Sequence, residues 1–218
     1  MEQIAVKNHT VRKYGFSNGV YFERKFGKKG KNLVIGVDEA GRGPLAGPVV
    51  AAAVYLKTFN FKNRIDDSKK LTPLERQKAF FEIADKSVFG IGVVNEKIVD
   101  RLNILVATQI AMEKAIEELL ERLAAYKQQR IHLLVDGNVK LGINLPRTNI
   151  IKGDARSKSI ASASILAKVT RDRIMCLYDK IFPQYGFIKH KGYPTKAHRI
   201  ALKRFGRSII HRTSFAGV

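Results

Sequence analysis

Apolar positions along the chain fall into two kinds of pattern. Leu33-Val-Ile-Gly-Val-Asp38 is a compact apolar run that reads as a buried strand, and residues 48–56, rich in valine and alanine, read as the next. Residues 88–94, 131–136 and 148–152 add three further strand candidates. Between them the spacing turns helical. Thr72, Pro73 and Glu75 supply an N-cap, a first-turn proline and a capping box, so a helix is expected to run to about Ala84. Ile110, Met112, Ala115, Ile116, Leu119, Leu120 and Leu123 form the stripe of a long helix over residues 104–128, with Glu113, Glu117, Glu118 and Glu121 on its solvent face. A second long helix is expected over residues 158–178 and a short one near 195–205. Strands alternating with helices define an α/β protein.

The ends of the chain differ from its middle. Residues 1–31 hold eight Lys/Arg against two Glu, and residues 173–218 hold ten Lys/Arg against one Asp. Residues 14–26 are expected to hold a short hairpin around Ser17-Asn18-Gly19, and 26–31 a turn-rich link. Over all 218 residues the formal net charge is +21. That favours a polyanionic partner, nucleic acid before an anionic membrane surface. The single cysteine, Cys176, excludes an internal disulfide and a cysteine metal site, which fits a reducing compartment, and it is expected to fill the core. No apolar leader or bilayer-length run is visible, so a cytoplasmic location is expected. None of the histidines His9, His132, His190, His198 and His211 has zinc-site spacing.

Three strand candidates end in acids: Asp38 with Glu39, Asp136, and Asp154. Ligand sites of α/β sheets collect at strand ends. Acids gathered there repel one another unless a cation neutralises them, and oxygen donors suit Mg²⁺ or Mn²⁺. Taken singly, Asp136-Gly-Asn138 and Gly153-Asp154 also suit ordinary turns. Adjacent Asp38 and Glu39 would face opposite ways within a regular strand, so convergence is expected only if Glu39 lies at the bend. Gly41-Arg-Gly-Pro-Leu-Ala-Gly47 lacks the GxGxxG spacing of a dinucleotide loop, and the chain has no GxxxxGK[ST] loop.

The stretch from Val37 to Val50, Asp-Glu-Ala-Gly-Arg-Gly-Pro-Leu-Ala-Gly-Pro-Val at its centre, resembles the signature of the ribonuclease HII family. Six further segments agree in order: Asp67-Ser-Lys-Lys-Leu71, Val135-Asp-Gly137, Lys152-Gly-Asp154, the run from Ala163 to Asp172, Lys191-Gly-Tyr-Pro-Thr195 with His198, and His211-Arg-Thr-Ser-Phe215. The resemblance implies a ribonuclease-H-like fold, a central mixed five-stranded sheet flanked by helices with a helical C-terminal extension. The expected layout is a basic extension over 1–31, a catalytic core over 32–180 and a duplex-gripping segment over 181–218. It implies an endonuclease that cuts the RNA strand of RNA–DNA hybrids and incises beside a single ribonucleotide in duplex DNA. Asp38, Glu39, Asp136 and Asp154 would be the catalytic acids and would hold two Mg²⁺ or Mn²⁺ ions. Gly41, Arg42 and Gly43 would read the ribose 2′-hydroxyl, and Tyr193 would pack on the sugar beyond it.

Lys69, Lys168, Arg171 and Lys191 are the best phosphate-contact candidates. Ser162 and Ser164 could cap, pack or touch backbone phosphates, and Asp172 is expected in a structural ion pair. Rivals from other classes are a different carboxylate-metal nuclease of the same fold and a non-enzymatic nucleic-acid binder. The related ribonuclease HIII normally carries a large extra N-terminal domain, for which 31 residues are too few. A monomer is the default expectation, and the sequence says nothing of a clamp-protein partner.

Overall fold

The computed structural model describes residues 19–27, 32–124 and 130–218. Residues 1–18, the link at 28–31 and the expected helix end near Gln128 lie outside the described residues. The strands are β1 (Asn32–Ala40), β2 (Val49–Leu56), β3 (Ser87–Val94), β4 (Arg130–Asp136) and β5 (Arg147–Ile150). They form one sheet in the order β3-β2-β1-β4-β5. β1 and β2, and β2 and β3, pair antiparallel, whereas β4 lies parallel to both β1 and β5. This is the expected mixed five-stranded sheet.

The helices are α1 (Tyr21–Gly27), α2 (Pro73–Lys86), α3 (Glu96–Arg122), α4 (Lys158–Ile181), α5 (Phe187–His190) and α6 (Lys196–Phe205). Helix α3 covers one face of the sheet, where Leu33, Ile35, Val37, Val49, Ala51 and Ala53 meet Ala111, Met112, Ala115 and Ile116. The alternate residues Val50, Ala52 and Val54 face α2 and α4 through Ala79, Ile83, Ala163 and Leu166. Period-two alternation thus feeds two cores from each strand. Gly36 lets α4 approach the centre of β1. A Cβ there would lie 2.2 Å from the Ser159 carbonyl carbon and 2.4 Å from the Ile160 nitrogen. That contact holds α4 beside Asp38, two residues farther along β1.

Helix α2 has the expected capping box, Thr72 with Glu75. Helix α3 is broken at Asn103 (φ 68°), whose side chain accepts from the N–H groups of Leu105 and Val106. Asn103 therefore caps the long helix at the expected start, and a short helical piece capped by Asn95 precedes it. The expected hairpin over 14–26 is not what residues 21–26 form. They belong to α1, whose Phe22 is buried against Val34, Leu134, Ile150 and Ile160, with Tyr21 and Phe26 beside it. Four-residue spacing of Phe22 and Phe26 suits one helix face, and burying one such ring contributes roughly 1.5–3 kcal/mol. Glu23 latches α1 to the start of α4, accepting from the Ser157 and Ser159 hydroxyls and the Ser159 N–H at 2.6–2.9 Å. Among the described residues no helix is long and apolar enough to cross a membrane.

Candidate active site

Asp38 sits near the end of the central strand β1. Pairing of β1 with β4 stops at Val37 with Val135, while pairing with β2 continues to Ala40 with Val50. One flank of Asp38 and Glu39 is thereby free of strand pairing. Glu39 lies within the strand, not at the bend as expected from alternation. Its carboxylate nonetheless shares the electrostatic neighbourhood of Asp136, as does that of Asp38. Asp136 ends β4, the neighbouring strand, and its Oδ1 accepts from the Gly153 N–H at 2.6 Å. Asp154 is not at the end of a strand. β5 stops at Ile150, and Asp154 stands on the 3₁₀ turn Gly153–Ala155 that follows left-handed Lys152 (φ 55°).

The four acids make one electronegative focus. Asp38 is 5% exposed. Burial, then the charges of Glu39 and Asp136, push its carboxyl well above the usual range, against hydrogen bonds from the Glu39 N–H (2.7 Å) and the Ser164 hydroxyl. Burial also raises Glu39, helped by Asp136 and opposed by the Arg42 guanidinium at 3.3 Å. Asp154 is raised by burial and by the charges of Asp67 and Asp136. The Lys69 ammonium stands 3.8 Å from Asp154 and 3.9 Å from Asp67. Partial burial opposes its charge, yet the fields of Asp67, Asp154, Asp38 and Asp136 hold it above the ordinary lysine value. Lys69 is thus within ion-pair distance of Asp154 and Asp67 and feels the charges of Asp38 and Asp136 from farther off.

Beside the acids, residues 41–48 form a loop wrapped around two buried arginines. Gly41 (φ +100°) and Gly47 (φ +84°) adopt backbone that L side chains rarely reach. All three guanidinium nitrogens of Arg212 donate to loop carbonyls, namely those of Gly41, Arg42, Pro44 and Gly47, at 2.6–3.0 Å. Arg171 donates to the carbonyls of Ala46, Pro48 and Lys191 at 2.9–3.0 Å. Both side chains are 0% exposed. Burial lowers Arg171 to about 10, and burial together with repulsion from Arg171 lowers Arg212 to about 9, so both stay charged at neutral pH. Arg171 is therefore no phosphate contact, as its basic helix context had suggested. Its donors are spent inside the protein.

Tyr193 faces this loop. The residue is 40% exposed, and a Cβ on Gly43 would lie 3.8 Å from its Cε1. The Leu45 N–H donates to the Gly192 carbonyl at 2.8 Å, joining loop and tyrosine segment. Behind the ring a basic groove of ≈ 540 Å³ is lined by Arg76, Lys168, Arg173, Lys189 and Lys191. Lys168 pairs with Asp172 at 2.8 Å and lies 5.7 Å from the Tyr193 ring centroid, giving Asp172 its expected ion pair. Lys191 folds back onto the Ile188 carbonyl and so closes α5. Cys176 lines the same groove, half-buried rather than in the core. Ser162 donates to the Lys158 carbonyl, while the Ser164 hydroxyl meets that of Ser68 at 3.0 Å.

The Ribonuclease HII family model matches residues 35–218. The chain belongs to the ribonuclease HII family. It is 48% identical over 200 residues to the ribonuclease HII of Syntrophotalea carbinolica, covering 91% of this chain and 92% of that one. It is 48% identical over 198 residues to that of Geobacter sulfurreducens, covering 90% and 88%. Among solved structures, the ribonuclease H2 of Pyrococcus horikoshii superposes with a TM-score of 0.60 at 25% identity, covering 84% of this chain and 94% of that one. The PCNA:RNase HII complex of Archaeoglobus fulgidus gives 0.64 at 24% identity, covering 84% and 95%. A Bst-RNase HIII determined with Mn²⁺ gives 0.62 at 17% identity, covering 86% and 68%. This chain is thus an endoribonuclease of the class that acts on RNA–DNA hybrids.

The donor set suits a hard divalent cation, because it is all carboxylate oxygen. Asp38 and Asp154, held above their ordinary range by burial first and by neighbouring carboxylates second, mark a place short of positive charge. Among the described residues, no group of three His, Cys, Asp or Glu side chains is placed so that it could hold a metal ion. Asp38, Asp136 and Asp154 each accept a backbone N–H instead, and Glu39 meets Arg42. Sequence reasoning named all four acids. It missed Arg212 and the part of Asp67 in the field at Asp154. Arg212 lay in a quoted motif, but nothing local distinguishes a buried arginine from a surface one.

Proposed function

We propose that this enzyme cuts the RNA strand on the 5′ side of a ribonucleotide, in hybrids and at single ribonucleotides within duplex DNA, leaving 3′-hydroxyl and 5′-phosphate ends. Asp38, Glu39, Asp136 and Asp154 would hold two divalent ions, Mg²⁺ or Mn²⁺. Ions bound there would make water a better nucleophile at neutral pH and neutralise charge on the phosphodiester. The observation that carries the reading is buried Asp38, raised by burial and by the charges of Glu39 and Asp136, directly beside a glycine loop that faces an exposed tyrosine.

The chain's own groups divide the work. The buried arginines draw loop carbonyls inward, and the exposed residues Arg42 and Gly43 offer backbone N–H groups to the 2′-hydroxyl, the group that separates ribose from deoxyribose. Tyr193 offers a ring face to the sugar beyond the cut. Arg42 steadies Glu39 at the mouth of the acid focus. Lys69, 81% exposed, can leave Asp154 for a phosphate, and Lys168 and the groove behind Tyr193 carry the strand onward. Residues 181–218, packed on the core through Ala46, Met175, Phe187 and Ile210, would grip the duplex.

The test compares matched duplexes carrying one ribonucleotide or none, with end mapping and titration of Mg²⁺ and Mn²⁺. Nicking only beside the ribonucleotide, and only with a divalent ion, is expected. Equal cutting of both duplexes, or cutting in EDTA, would remove the proposal.

A further inference from the structure

Three histidines of the C-terminal segment, His190, His198 and His211, are buried together. His190 and His198 stack at 4.5 Å with an interplanar angle of 16°, and Phe187 packs edge-on against both. His198 Nε2 and His211 Nε2 lie 3.0 Å apart. One proton must sit between them, and the backbone decides whose it is. His198 Nδ1 faces the Tyr193 carbonyl at 2.9 Å, which can only accept, so Nδ1 carries hydrogen and Nε2 is bare. His211 Nδ1 faces the Ser208 N–H at 2.9 Å, which can only donate, so hydrogen sits on Nε2. His190 is fixed in the same way, accepting from the Gly192 N–H at 3.2 Å and donating to the Tyr185 carbonyl at 2.9 Å.

The result is a one-way chain of donors, Ser208 to His211 to His198, that ends on the carbonyl of Tyr193. The tyrosine N–H is held as well, donating to the His190 carbonyl at 2.9 Å. Tyr193 is 40% exposed, and the Lys168 ammonium and Arg171 guanidinium flank its ring at 5.7 and 5.9 Å from the centroid, so the backbone sets the point from which the ring projects between them. Pro194 follows and narrows the backbone choices of Tyr193. We propose that His198 and His211 are positioning residues that set the angle of the Tyr193 ring towards the sugar, and so the discrimination of the ribonucleotide junction. This rests on the reading of Tyr193 as the sugar platform. Burial lowers His198 below the usual histidine value, and burial with His198 beside it lowers His211 to about 4, which agrees with a neutral pair at working pH.

The experiment measures kcat and KM of the full chain on a single-ribonucleotide duplex and on a uniform hybrid. The variants are His211→Phe, which keeps a ring but removes the donor, His211→Gln, which restores an N–H donor, and Tyr193→Ala. His211→Phe is expected to lower kcat on the single-ribonucleotide duplex by about tenfold, the effect of one lost hydrogen bond, with a clearly smaller effect on the hybrid. His211→Gln should recover most of the loss. A merely structural histidine would lower both substrates together and leave their ratio unchanged, which overturns the proposal. If Tyr193→Ala shifts the ratio and His211→Phe does not, the positioning role fails alone. If Tyr193→Ala leaves the ratio unchanged, the platform reading fails and this inference with it. Should His211→Phe not fold, nitrogen-15 shifts of the wild-type imidazoles decide. Nδ1–H on His198 and Nε2–H on His211 are expected, and the reverse tautomers overturn the assignment.

Discussion

Replacing Asp38 by Asn should abolish cleavage and make the metal-free protein more stable. The amide has the shape of the carboxylate, and its oxygen can still accept from the Glu39 N–H at 2.7 Å. What changes is charge. The native carboxylate is 5% exposed and repelled by Glu39 and Asp136. One like charge removed from within about 6 Å, at an effective dielectric near 20, is worth on the order of 1–3 kcal/mol. For a chain of this size that corresponds to a rise in Tm of roughly 3–10 °C. The sign with pH follows from the raised folded-state pKa of Asp38. Its contribution to stability is full below the unfolded value and is lost as pH rises through the folded value. The advantage of Asp38→Asn should therefore be large at pH 7.5 and shrink as pH falls. Thermal melts in EDTA across that range measure it, and a Mg²⁺ or Mn²⁺ titration should stabilise the wild type but not the variant. An unchanged or lower Tm at pH 7.5 in EDTA would refute the electrostatic reasoning, and retained turnover would remove Asp38 from the acid set.

Two further outcomes are expected. Gly41→Ala places a Cβ 2.2 Å from Arg171 Nε and 2.7 Å from the Pro48 carbonyl at a φ of +100°. Backbone strain and overpacking should cost about 2–5 kcal/mol, and a melt unchanged within error would contradict the loop's rigidity. Lys69→Ala should leave the fold intact and flatten the salt dependence of duplex binding by about one phosphate contact, a change of about 0.9 in log–log slope. An identical slope would confine Lys69 to its pairing with Asp67 and Asp154.

Much of the scaffold was legible because its signals are local. Compact apolar runs marked the strands to within about two residues, and Thr72 with Glu75 marked α2. The piece of α3 before Asn103 was not, because the break is made by one asparagine side chain closing on Leu105 and Val106, and a lone asparagine looks like any polar position. Helix α1 was read as a hairpin because Ser17-Asn18-Gly19 is a strong turn signal, whereas the partners that favour the helix, Ser157, Ser159 and Ile160, are more than a hundred residues away. In the site, Asp136 stands at a strand end and Asp38 near one, as expected, whereas the grouping of the four acids came from family resemblance. Arg171 was misread because sequence shows a cation's charge but not its depth. Asp154 was placed at a strand end because β5 is only four residues long and the turn after it continues the apolar run through Ile151.

Depth sorts the charges of this molecule, and the sorting links the two halves of its task. The net +21 suggests a surface that attracts phosphate everywhere, yet Arg171 and Arg212 are fully buried, away from that surface. Arg171 and Arg212 spend their donors on carbonyls between Gly41 and Pro48 and on Lys191. The Gly41 and Arg42 carbonyls are held inward by Arg212, which turns the N–H groups of Arg42 and Gly43 on the same peptides outward, whereas those of Leu45 and Gly47 are spent on Gly192 and Ile210. The loop begins three residues after Asp38 on the same strand. The group that would meet the 2′-hydroxyl and the acid that would hold an ion are therefore fixed by one continuous piece of backbone, with Tyr193 tied to it through Leu45 and Gly192. An arginine-to-methionine change at Arg212 would keep side-chain bulk but leave the carbonyls of Gly41, Arg42, Pro44 and Gly47 without their donors. It should disturb ribonucleotide recognition and acid placement together, where a surface lysine change would weaken binding alone.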